Sequence, residues 1–224
     1  MDALHQLLPM AVGMLISPLP IVATVAILLS ARGRSAAPAY AAAFTAVSLI
    51  VVAVGAITAV GASSSASGGG KIVVLVLTAV LTLGFAALAV ASWLSRPKPG
   101  AEAKPPSWLA AVDTITPARA AGLGLLMAVT NTKNIPLELK GGALIGAAHL
   151  PAILVVLWCI GFAVAGSLAL IVPTALAATG SPAVVRSLER LKAEMIAHNA
   201  AIMTVLFAIL AAVEASHLLH QLIG

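Results

Sequence analysis

The chain has 224 residues, of which 61% are apolar and 8% charged, and its mean hydropathy is +1.12. That composition excludes a soluble globular domain and divides the length into membrane spans of about 20 apolar residues. The net charge of +5 does not mark a nucleic-acid surface, because the basic residues stand singly between apolar runs, without a stripe or interleaved aromatics.

Six hydrophobic segments follow in order. The first runs from about Leu4 to Ser30 and carries Ser17-Pro18-Leu19-Pro20 near its midpoint; Arg32-Gly33-Arg34 ends it. Only Asp2 precedes it where a signal peptide would be basic, so this segment is expected to be retained. The second spans about Ala36 to Val60, and Ser63 to Gly70 reads as a flexible Ser/Gly loop before the third, about Ile72 to Leu94.

Arg96 to Pro106, rich in Pro and Lys, reads as a linker. Thr116 and Pro117 have the N-cap and N1 chemistry of a helix start. The fourth segment, about Ala118 to Ala148, is interrupted by Asn131 to Pro136. The fifth runs from about Ala152 to Ala178 and holds Cys159, the lone cysteine, which permits no disulfide, CxxC pair or thiolate metal cage within one chain. Between about 182 and 198, Val184, Leu188, Leu191 and Met195 recur at helical spacing while Arg186, Glu189, Arg190, Lys192 and Glu194 take other faces. This predicts an amphipathic helix on the cytoplasmic membrane surface. The sixth segment covers about Asn199 to Leu222.

With the N-terminus outside, Arg32, Arg34, Arg96, Lys98, Lys104, Arg119, Arg186, Arg190 and Lys192 fall in cytoplasmic loops, against Lys71 alone outside. Only Lys133 and Lys140 remain within a span. The expected fold is therefore an all-α integral membrane protein with both termini outside the cytoplasm. Residues 1–95 form a first three-helix repeat, 96–116 a cytoplasmic linker, and 117–224 a second repeat. Three helices being an odd number, the second repeat enters inverted.

The first span of each repeat is broken in its middle. As straight helices these segments would be about 40 and 45 Å long, beyond a hydrocarbon core of about 30 Å. Paired Pro-interrupted spans are the strongest sequence pointer to a transport site, although a proline can also kink a span without lining anything. A lysine at the bilayer centre costs about 3 kcal/mol or more and therefore faces a cavity or a partner. Lys133 is the first candidate for holding an anion, with Asn131, Thr132 and Asn134 as neutral donors and acceptors. The half-helix after Pro136 adds the positive end of its dipole. The competing role for Lys133 is pairing with Glu138 or with carbonyls freed by the break. Lys140, seven residues on, shares its face on a helix, or snorkels to the interface. Glu138 either neutralises a lysine or carries a coupling proton. Ser17, Pro18 and Pro20, with Thr24, are the corresponding groups in the first half.

Glu214, His217 and His220 read as interfacial polar residues, not metal ligands. Gly161, Ala165 and Gly166 permit close helix packing or a homodimer. No nucleophile–base pair, nucleotide loop, metal cage or cofactor motif stands at conventional spacing, so an enzyme is not expected.

Ile16-Ser17-Pro18-Leu19-Pro20-Ile21 resembles a hallmark of the actinobacterial sulfolipid- and glycopeptidolipid-addressing proteins, a branch of the lysine-exporter superfamily. Asn131-Thr132-Lys133-Asn134 resembles their Asn-Pro-Lys-Asn motif, with Thr132 where proline is expected, and His198-Asn199 fits the opening of their last span. The resemblance covers the whole chain. It implies export or flipping of an anionic lipid or lipid-linked glycan towards the cell envelope, with envelope-lipid synthesis proteins as partners. A lateral opening between helices favours that function. A closed hydrophilic pocket favours export of a small anionic or zwitterionic metabolite such as an amino acid, and inertness in liposomes favours a non-transporting accessory role.

Overall fold

A computed structural model describes residues 6–63, 69–96, 112, 114–131 and 133–223. Among them the regular elements are all helices: α1 (Leu7–Leu15), α2 (Pro18–Leu28), α3 (Gly33–Ser63), α4 (Gly69–Leu94), α5 (Pro117–Val129), α6 (Asn134–Gly146), α7 (Ala152–Ala177), α8 (Pro182–Ala197) and α9 (Asn199–Ile223). Helix bounds follow the hydropathy breaks closely. The Ser/Gly stretch contributes to two helix ends, since Ser63 closes α3 and Gly69 opens α4. Most of the predicted linker, with Thr132, lies outside the described residues.

Polarity is inverted relative to a soluble protein. Leu8, Ile57, Leu83 and Leu94 are each at least 70% exposed, whereas Lys133, Glu138 and Glu214 are each 2% exposed. Among the described residues three helices are long and apolar enough to cross a membrane (Gly33–Ala59, Ala152–Ala177 and Asn199–His220), and α1 with α2 passes the same test as a pair bent by 50°, a broken span or a re-entrant loop. The chain is a multi-pass membrane protein.

Two compact units divide the chain. One comprises residues 1–63 and 104–196. In it α3 is the spine, packed by α2, α5, α6 and α7, while α1 lies on α6 and α7. Gly124 of α5 meets the Tyr40 carbonyl, and Gly142 and Gly146 of α6 meet those of Val52 and Ala56. Numbers rise together on both sides, so α5 and α6 run parallel to α3. The approach is backbone to backbone and tolerates no Cβ on Gly142 or Gly146, a small-xxx-small contact of the kind that joins helices in lipid.

The other unit comprises residues 64–103 and 197–224, where α4 packs on α9. Phe85 and Phe207 stack at 6.1 Å between ring centroids. Glu214 lies inside this unit, not at an interface as its place near the end of the last span led us to expect. Its carboxylate is 2% exposed, and Oε2 is 4.0 Å from His217 Nδ1.

In α8, Leu188 and Met195 are buried, but Leu191 of the predicted apolar face is 37% exposed. The helix spans Pro182–Ala197, and an exposed Leu191 is what an apolar face turned to lipid would show.

Candidate functional site

Pro18 and Pro20 lack the N–H groups that would bond the carbonyls of Met14 and Ile16 in a continuous helix. The chain turns instead. Ser17 N bonds Leu15 O at 3.0 Å, which also withdraws the natural partner of Gly13 O. Two carbonyls are thus left at the end of α1. The Ser17 hydroxyl donates to Met14 O at 2.9 Å. Gly13 O is met from the other half of the sequence, by Lys133 Nζ.

The second break has a related construction. Helix α5 ends at Val129, and the Asn131 carbonyl accepts from both Asn134 N (2.9 Å) and Ile135 N (3.3 Å), so α6 begins at Asn134. Pro136 therefore does not delimit the half-helix, as the sequence suggested. It occupies the third helical position, where a missing N–H costs nothing because first-turn donors have no intrahelical acceptor.

The breaks are bonded to one another. Ser17 Oγ lies 3.2 Å from Asn134 Oδ1, an alternative to Met14 O as acceptor for its one proton; Asn131 Nδ2 donates to Ser17 Oγ at 3.4 Å, and Lys133 Nζ donates to Asn134 Oδ1 at 2.8 Å. The Lys133 ammonium also sits at the carbonyl end of α1, where the helix dipole favours a cation. Of the roles weighed for Lys133, bonding to a freed carbonyl is the one the geometry contains, and the carbonyl belongs to the first break. The Asn134 Nδ2 amide, in a residue 1% exposed, has no hydrogen-bond partner among the described residues.

Glu138 lies one turn beyond Asn134 and accepts from Ser48 Oγ at 2.7 Å. Thr24 is spent on the backbone: its hydroxyl donates to Pro20 O at 2.9 Å, where Tyr40 OH also donates at 3.3 Å. Pro18 and Pro20 are buried within α2. Lys140, in the middle of α6, is partly buried. Thr132 lies outside the described residues.

Sequence reading missed Gly13, which only the packing of α1 against α6 reveals. It also gave Ser17 too small a part and passed over Ser48. The Gly142–Gly146 spacing was open to view as a GxxxG pattern.

A groove of about 540 Å³ lies between α1 and α7, lined by Leu7, Leu8 and Ala11 on one side and by Leu157, Trp158 and Gly161 among others on the second. Gly166, one turn beyond, packs against Met14, whereas nothing stands within 4 Å of a Cβ placed on Gly161. Cys159 is buried beside the groove. Among the described residues no group of three or more His, Cys, Asp or Glu could hold a metal ion.

Fold and site define a multi-pass helical membrane protein in which two helix breaks close on a buried lysine. No curated protein and no solved structure matches the chain. The family described as Sap, sulfolipid-1-addressing protein, matches residues 7–217, which take in both breaks and every helix of the site. The chain belongs to that family.

Proposed function

We propose that this protein is a secondary transporter that exports or flips an anionic lipid or lipid-linked glycan across the plasma membrane towards the cell envelope. One observation carries the reading: two breaks far apart in sequence close on a single buried ammonium, which a negatively charged headgroup would compete for. An oxyanion arriving there meets the N-termini of α2 and α6, the unpartnered Asn134 amide and the Lys133 charge. Drawing Lys133 from Gly13 O leaves only the bonds through Ser17 to join the two breaks. The family description, sulfolipid-1-addressing, supports a lipid with an acidic headgroup.

Six spans in two inverted repeats belong to this reading. The broken span of each half packs on the second helix of the opposite half, α1–α2 on α7 and α5–α6 on α3, and the third helices, α4 and α9, pair with each other. Such reciprocity is the pattern of inverted-repeat transporters. Both termini then lie outside the cytoplasm, and Glu138, held by Ser48, carries the coupling proton. The work is movement of a lipid, not bond chemistry.

A second reading has its own support. The Lys133–Gly13 bond is also what a structural staple would look like, and a stapled, closed protein suits an accessory role in a lipid-export complex. Liposomes containing the purified protein, a headgroup-labelled anionic lipid and an imposed pH gradient decide between them. Transport predicts movement of label between leaflets by the wild type and none by Lys133→Gln. A wild-type protein that moves no label in either gradient direction establishes the accessory reading.

A further inference from the structure

The groove between α1 and α7 is not used by the headgroup site, yet it runs alongside it. From Leu154 to Ala165 its α7 wall rises about 16 Å, close to the roughly 15 Å depth of one leaflet's hydrocarbon. Its outer lip is continuous with the lipid-facing surface, for Leu8 is 71%, Leu157 54% and Trp158 42% exposed. Its inner side is closed by α1 and Phe162 and stops short of the polar cluster. Ala11 stands two residues before Gly13, and Phe162, which lines the groove at 4% exposure, fills the space over Gly141 of α6. We infer that this groove seats one acyl chain of the lipid on the outer-leaflet side, where it leaves sideways towards the envelope, while its anionic headgroup meets Lys133. The inference rests on the transport reading for the headgroup, and adds where the tail goes.

A hydrocarbon chain gains no hydrophobic free energy on passing from bilayer to groove, since both are apolar. The groove therefore supplies alignment, not affinity, and lets the tail stay in hydrocarbon while the headgroup crosses polar ground. Gly161 has the special place here: it forms part of the wall and leaves the space above it empty.

The test uses the full chain in liposomes containing phosphatidylglycerol with a diazirine on its acyl chain. After illumination, crosslinked peptides should concentrate on residues 7–11 and 154–165. Gly161→Phe should lose those crosslinks and slow flipping while melting like the wild type. Gly122→Phe is the matched control, because Gly122 also has nothing within 4 Å of its Cβ position and lies outside the groove; it should keep both properties. Crosslinks spread evenly over the lipid-facing helices and unchanged in Gly161→Phe overturn the proposal, as does a crosslinked second copy of the chain covering the groove. Normal flipping by Gly161→Phe beside a silent Lys133→Gln removes the groove and leaves the headgroup site standing. Groove crosslinks in a wild type that flips nothing uphold the groove and remove the transport reading.

Discussion

Removing the charge of Lys133 and removing its hydrogen bonds are different experiments. Lys133→Gln removes the charge but keeps a neutral donor on a side chain one bond shorter, and should fold while losing transport. Lys133→Ala leaves a buried carbonyl and the Asn134 oxygen short of a donor, so it should lose transport and also about 1–3 kcal/mol of stability. Parallel thermal unfolding and lipid flipping separate the two effects. If Lys133→Gln transports normally, the lysine is a staple and nothing more. Glu138 is bonded to Ser48 and not directly to a cation. Glu138→Gln preserves a hydrogen-bonding partner for Ser48 and should make flipping indifferent to an imposed pH gradient. Retained gradient dependence would take the proton role away from it.

At the scale of the helix, the first break is made by absent donors, and one substitution restores the first of them. Pro18→Ala returns an N–H opposite Met14 O and frees Ser17 from that duty. We expect the 50° bend to relax and transport to fall with no loss of thermal stability. A variant that is equally bent and active would show that packing, not proline, sets the angle. The α3–α6 contact should behave oppositely: Gly142→Leu drives a side chain into the Val52 carbonyl and should cost at least about 1–3 kcal/mol, read as a lowered melting temperature. These elements differ in how plainly the sequence declares them. Segment ends, the Thr116 cap (3.4 Å to Arg119 N) and the Pro18 break were readable, because each depends on local chemistry. The true start of α6, the burial of Glu214 and the partner of Lys133 were not. Those depend on which helix lies alongside, and hydropathy carries no information on neighbours.

For the molecule as a whole, the orientation is open to direct labelling. Cys159 is buried, so Cys159→Ser gives a background for single cysteines. Ser181→Cys, between α7 and α8, should react with a membrane-impermeant maleimide only after permeabilisation, and His220→Cys should react in intact cells. The reverse pattern would invert the protein and turn an exporter into an importer by geometry alone. The family match over residues 7–217 covers both positions of the Lys133–Gly13 bond, so the same labelling and flipping assays apply to other members carrying these residues.

That bond also sets an order of events. Gly13 and Lys133 are 120 residues apart, and synthesis at about 5–20 residues per second separates their appearance by on the order of ten seconds. Throughout that interval the first span is in or near the bilayer with a bare carbonyl, the condition that lipid tolerates least. The newborn chain must therefore be sheltered until its second half arrives. Ribosome-bound chains ending before Lys133 should remain beside the insertion machinery, and those extending past α6 should leave it.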